Sequence, residues 1–120
     1  MTEAKERKRF DLEERTFLFT KSVIAFINVL PKTLANVEIM RQVVRSSGSI
    51  GANYIEANES LSKKDFGLRI KICRKEAKET QYWLKLLETN AQGIREQQQK
   101  LIGEATELTK IFGSIIEKVK

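Results

Sequence analysis

Histidine is missing altogether from this 120-residue chain. Its absence removes His-based acid–base catalysis, the usual nucleophilic triads, most zinc sites and the Glu-x-x-His pairs of di-iron bundles. The single cysteine, Cys73, cannot close an internal disulfide, which fits a reducing compartment. Proline occurs once, at Pro31, and few Pro with many Leu, Ile, Glu and Lys argue for an all-helical chain. No apolar run approaches the roughly 20 residues that span a bilayer. The charged start M-T-E-A-K-E-R-K-R-F is not followed by the apolar stretch of a secretory signal. The expectation is a cytoplasmic protein with no membrane contact. There is no G-x-x-x-x-G-K-[ST] loop, and Gly48 and Gly51 sit in a helical pattern rather than after a strand. The chain therefore reads as not an enzyme, with no catalytic residue, no cofactor, no metal and no small-molecule substrate. The carboxylate pairs Glu56 with Glu59 and Glu76 with Glu79 lack further ligands and are expected to pair with nearby Lys and Arg.

What is present is a succession of amphipathic patterns. Hydrophobic residues make up 41% of the chain and charged ones 32%, enough for one core under a highly charged surface, hence a single domain. Residues 1–10 read as a charged tail and residues 11–120 as the domain. The first helix is expected from about Asp11 to Leu30, burying Leu12, Phe19, Val23, Phe26, Ile27 and Leu30, with Pro31 as its stop. The second, from about Asn36 to Asn58, carries Ile39, Met40, Val43, Val44, Ser47, Ile50, Gly51, Tyr54 and Ile55 on one broad face. Ser62 with Asp65 resembles a capping box opening a third helix, from Lys63 to about Thr89, with Phe66, Ile70, Cys73, Ala77, Thr80, Leu84 and Leu87 inward. After N-A-Q-G, a fourth helix places Ile94, Leu101, Ala105, Leu108, Phe112, Ile115 and Val119 in near-heptad spacing. Short loops between helices of similar length predict an up-down-up-down antiparallel four-helix bundle.

Two segments carry more than core pattern. From Arg45 to Ala57, R-S-S-G-S-I-G-A-N-Y-I-E-A keeps helical spacing while rich in Ser, Gly and Ala. Gly costs about 1 kcal/mol against Ala inside a helix, so such a segment is expected where neighbours approach very closely. Ser46, Ser49 and Asn53 share one edge of it; Arg41, Arg45, Ala52 and Glu56 share the next, where either Arg41 or Arg45 pairs with Glu38 or Glu56 or a polar, partly buried network forms at a subunit boundary. The third helix resolves into three stripes. Beside its core stripe runs a basic one: Lys63, Lys64, Lys71, Arg74, Lys75, Lys78 and Lys85. The functional reading of this stripe is contact with nucleic-acid phosphates; the bland one is a solvated helix face. The remaining side gathers Leu68, Ile72, Trp83 and Leu86 with the acids Asp65, Glu76 and Glu79. An apolar patch on a face distinct from the core points to a subunit interface, unless a neighbouring helix of the same chain covers Trp83.

Three blocks in order, R-S-S-G-S-I-G-A-N-Y-I-E-A from Arg45, S-K-K-D-F from Ser62 and K-E-A-K-E-T-Q-Y-W-L-K-L-L from Lys75, resemble one family. It is the small bacterial four-helix bundle proteins encoded by intervening sequences in large-subunit ribosomal RNA genes, often labelled ribosomal-protein-like. A more distant likeness is to the accessory proteins of diversity-generating retroelements, basic ring-forming bundles that bind nucleic acid. The resemblance implies a bundle assembled into a homo-oligomeric ring, a homopentamer. It also implies structural or assembly importance for Ser49, Gly51, Ala52, Asn53, Tyr54 and Glu56, and for Glu76, Glu79, Tyr82 and Trp83. No reaction and no catalytic residue come with it. The leading expectation is an oligomeric bundle that binds RNA or DNA through its basic face; the alternative is a protein–protein interaction module without a nucleic-acid role.

Overall fold

The computed structural model describes the backbone of residues 2–120 and the side chains of residues 11–120. Among the described residues there are four helices and no strand: α1 (Thr2–Ile27), α2 (Leu34–Asn58), α3 (Lys63–Leu86) and α4 (Gln92–Lys118). Each helix packs on its neighbour in sequence and α1 closes the set against α4, which gives a four-helix bundle. Phe26, Val43, Ile50, Ile70, Ala77, Leu84, Leu108 and Phe112 are wholly buried along its axis. Fully burying a side chain such as Phe26 or Leu108 contributes about 1.5–3 kcal/mol.

Local chemistry sets the helix ends. The first helix stops at Ile27, short of the expected Leu30, and tighter bonds take over: Val29 N–H donates to Phe26 O and Leu30 N–H to Ile27 O, both at 3.2 Å. Leu30 nevertheless stays buried, so the core stripe outlasts the helix that carries it. The backbone of α1 also runs through the segment expected as a charged tail, whose side chains lie outside the described residues. Helix α2 starts at Leu34, before the expected Asn36, because Thr33 caps it, its hydroxyl accepting from Asn36 N–H at 3.1 Å. Ser62 caps α3 in the same way, accepting from Asp65 N–H at 3.0 Å, as its sequence predicts.

The exit of α3 is held differently. It ends at Leu86, before the expected Thr89, with neither glycine nor left-handed residue to finish it. Two buried amides from other helices do that work. From α4, Gln98 Nε2 donates to Leu84 O at 2.7 Å and to Leu87 O at 2.9 Å. From α2, Asn36 Nδ2 donates to Pro31 O and to Glu88 O, both at 3.0 Å, while its Oδ1 accepts from Glu88 N–H at 3.1 Å. One carbonyl left over at the α3 C-terminus, Leu84 O, is thereby satisfied, as are Leu87 O and Glu88 O just beyond it.

The small residues of α2 serve a close helix pair. A Cβ on Gly51 would lie 2.9 Å from Thr16 Oγ1 and 3.3 Å from Thr16 Cβ, on a residue buried inside α1. On the opposite edge, the hydroxyls of Thr80 in α3 and Ser46 in α2 are hydrogen-bonded to each other at 2.8 Å. Val44 and Ile55, expected in the core stripe, instead face outward: they lie beyond Gly48 and Gly51 on the α1 side, where small residues leave no side chain to cover them. Between α1 and α4 a cleft of about 510 Å³ remains, lined in part by Leu18, Phe19 and Leu101. The Arg15–Glu104 pair on its lining is joined at 2.7 and 2.8 Å.

Candidate functional site

Helix α3 carries both candidate surfaces, and its packing separates them. The core stripe, Ile70, Cys73, Ala77, Thr80 and Leu84, is fully buried. Cys73 acts there as a small hydrophobe: its Sγ–H donates to Ile50 O at 3.4 Å, and burial pushes the thiol up to about 12. A thiol held that high carries no thiolate at neutral pH.

On the α4 side of that stripe lie the basic residues. Lys63, Lys64, Lys71, Arg74, Lys75, Lys78 and Lys85 are all exposed, and none is within ion-pair distance of a described carboxylate. Arg74 leans along α4, its Nε 3.7 Å from where a Cβ on Gly113 would stand, so the glycine gives the guanidinium stem room. At one end of the stripe Lys63, Lys64, Lys71 and Lys120 border a cleft of about 320 Å³ floored by Gly67, Leu68, Ile116 and Val119. Lys120 was not expected in this group. It arrives because the last turn of α4 lies beside the first turn of α3, a juxtaposition that tertiary packing alone reveals.

Apart from Leu68, which floors the cleft just described, the expected interface residues lie towards the α2 side of α3, and they do not share one environment. Leu68, 59% exposed, and Leu86 stand in solvent, while Ile72, Glu79 and Trp83 are half-buried. Trp83 packs against the core and meets the exposed Tyr82 ring edge-on, centroids 5.1 Å apart, so part of its surface is covered within the chain. Glu76 is only 9% exposed, and its Oε1 has no hydrogen-bond partner among the described residues. Burial raises its carboxyl above the usual range and Glu79 adds to this; Lys75 and Arg45 pull the other way. Next to it Arg69 Nη1 donates to Asn53 Oδ1 at 3.0 Å, and Asn53 Nδ2 donates to Ser49 O and Oγ. The polar edge of α2 is thus a chain of bonds to α3, while the expected pairing of Arg41 or Arg45 with Glu38 or Glu56 does not form. Exposed pairs of this kind gain too little to fix two long side chains.

Among the described residues no three Cys, Asp or Glu side chains come together as a metal site, and no helix is long and apolar enough to cross a membrane. The molecule is thus a four-helix bundle that presents a basic stripe, free of ion pairs among the described residues, beside a partly apolar, partly acidic face. The chain belongs to the 23S rRNA-intervening sequence protein family, whose model matches residues 8–114. It is similar to a protein of unknown function from the S23 ribosomal protein family of Bacteroides thetaiotaomicron VPI-5482, solved at 1.70 Å. The two share 31% identity with a TM-score of 0.78, over 92% of this chain and 98% of the other. No curated protein matches the chain.

Proposed function

We propose that this protein is a cytoplasmic, non-enzymatic homo-oligomer that binds nucleic acid through the basic face of α3. Its helices run up-down-up-down and its copies close into a ring, five in number on the family resemblance. The observation that carries the nucleic-acid reading is the state of the stripe: from Lys63 to Lys85 its cations are exposed and free of ion pairs with described residues. Such lysines act as point charges towards phosphates, and binding them releases counterions. Repetition of the stripe around an oligomer multiplies weak contacts by avidity. Aromatic side chains do not interleave with these cations apart from Tyr82, which favours backbone contact over base stacking.

Light scattering and fluorescence anisotropy with a structured RNA hairpin and a DNA duplex, across a salt series, test this reading. Affinity should fall steeply with salt. Replacing Lys71, Arg74, Lys75 and Lys78 by Gln should flatten the slope by about 0.7–0.9 for each phosphate no longer neutralised. Absence of binding at low salt overturns the nucleic-acid reading. The exposed Phe17, Ile24, Leu68 and Leu86 favour a second reading, a protein-binding module, which predicts association that survives salt.

A further inference from the structure

The basic stripe of α3 does not end on a bare helix face. At its N-terminal end Lys63, Lys64 and Lys71 border the cleft of about 320 Å³ between the start of α3 and the end of α4. The floor of that cleft is aliphatic. Leu68 lies there 59% exposed, and Val119 is held by its own N–H, which donates to Ile115 O and Ile116 O, both at 3.2 Å. Gly67 completes the lining, and a Cβ on it would stand 3.8 Å from Val119 Cγ2, an ordinary contact. The packing of α3 on α4 therefore admits a side chain at 67, and helix propensity favours one. Glycine at this position leaves the cleft open.

Charge and shape define what such a cleft takes. Lys63, Lys64 and Lys71 make no ion pair with a described carboxylate, and among the described residues lining the cleft Asp65 is the one acid. Lys120 pairs with Glu117 at 3.1 Å, but both are exposed, and pairs of that kind exchange at little cost. The matching occupant is an anion with an apolar body. The volume exceeds what a phosphate alone fills and stands at the low end of the range of about 300–1,000 Å³ for small-ligand sites. An acyl chain would keep much of its length in water over a floor shallow enough to leave Leu68 exposed, whereas a flat ring can lay one face on it. Beyond the cleft, Lys71, Arg74, Lys75 and Lys78 continue for about 10 Å along α3 at 1.5 Å per residue. That is room for about three successive phosphates of one strand. A row of cations leading onto an aliphatic floor suits a strand whose backbone follows the row and whose last base leaves the stack.

We propose that this cleft receives the unpaired terminal nucleotide of a nucleic-acid strand, with its base on Leu68 and Val119 and its phosphates at Lys63, Lys64 and Lys71. The proposal rests on the nucleic-acid reading above and adds a preference for one nucleic-acid structure. Phosphate contacts are blind to pairing, but a paired base reaches the floor only after it is unpaired and unstacked, which is unfavourable. A strand with an unpaired end spares that step. The protein therefore binds a duplex with one overhanging nucleotide in preference to a blunt one.

Fluorescence anisotropy with three short duplexes of one sequence, each made as RNA and as DNA, tests this. One is blunt, one carries a single unpaired adenine nucleotide, and one carries an abasic residue in its place, the last two on the 5′ and the 3′ end in turn. The abasic end keeps the phosphate and removes the base. On one of the two ends the base should tighten binding about fivefold over its abasic counterpart, the low end of what a stacked base contributes. Gly67→Leu, which fills the cleft, should abolish that margin and leave binding of the blunt duplex unchanged. Leu68→Ser, at an exposed position, should shrink the margin and decides the matter if Gly67→Leu loses its helical circular dichroism. Equal affinity for base and abasic ends at both termini, or a margin left intact in a folded variant, overturns the cleft while the basic-face reading stands. Absence of binding to every duplex at low salt overturns both.

Discussion

Replacing Asn36 by Ala removes a buried side chain that joins three backbone groups of other segments. The residue is 2% exposed, and three bonds depend on it: two donated to Pro31 O and Glu88 O, one accepted from Glu88 N–H. An intramolecular hydrogen bond contributes about 0.5–1.5 kcal/mol net, and a buried group left without a partner costs about 1–3 kcal/mol. Pro31 and Glu88 are themselves exposed, so water can reach part of what is abandoned, and the lower figures apply. At about 1 kcal/mol for each bond, the total loss is ~3 kcal/mol. For a domain of this size that is a fall of about 10–15 °C in melting temperature. Urea denaturation should show a lower midpoint at constant m-value. Thr33→Ala, which removes one cap bond near the same site, should cost about 1 kcal/mol. Asn36→Asp keeps the acceptor for Glu88 N–H but turns a carboxylate oxygen towards two carbonyls, so it should be no more stable than Asn36→Ala at pH 7. A loss below about 1 kcal/mol for Asn36→Ala, or a wild-type-like Asn36→Asp, would refute the clamp.

Other perturbations separate close packing from open space. Gly51→Ala forces a contact below 3.0 Å with Thr16 and should cost about 1–3 kcal/mol of overpacking against about 1 kcal/mol gained in helix propensity. Gly48→Ala has only the gain and should stabilise the dissociated chain by up to about 1 kcal/mol, so equal shifts for the two variants in thermal melts would contradict the α1–α2 approach. Because the carboxyl of Glu76 titrates higher folded than unfolded, its ionisation destabilises the dissociated chain progressively as pH rises from the ordinary carboxylate range through the folded value. Glu76→Gln should therefore add stability at neutral pH and none below the ordinary Glu range; melts across pH at low protein concentration check this, and a gain that is largest in acid would reverse the assignment. Phe112→Ala, at a wholly buried ring 5.7 Å from that of Tyr54, should cost about 3–5 kcal/mol in chemical denaturation.

The fold was largely legible in the sequence because its core is a repeating apolar stripe. Phe19, Val23 and Phe26, then Ile70, Cys73 and Ala77, fall inward as their spacing predicts. The Ser62 cap and the end of α2 at Asn58 also lie where local chemistry puts them. What escaped was polar and non-local. Thr16, Asn36 and Gln98 look like surface residues in a linear pattern, yet each is buried, Asn36 and Gln98 against backbone groups of other elements. Val44 and Ile55 departed the other way: apolarity suggested the core, but a helix flanked by glycines cannot shield them. At the candidate surfaces, the basic stripe was legible because like charges at helical spacing share a face. The burial of Glu76 was not, since it depends on how closely α2 comes to α3.

The exit of α3 has a consequence for how the chain folds. A helix finished by its own glycine can hold its last turn before anything docks on it. Here Leu84 O in the last turn of α3 and Leu87 O just past it are satisfied by an amide rooted in α4, and the adjoining Glu88 by one rooted in α2. The α3 end is therefore complete only when three helices have assembled. Its amides should exchange with solvent in step with those of α2 and α4 rather than by independent fraying. A helix that borrows its terminus from its neighbours makes the bundle a single cooperative unit and cannot be moved to another scaffold without them.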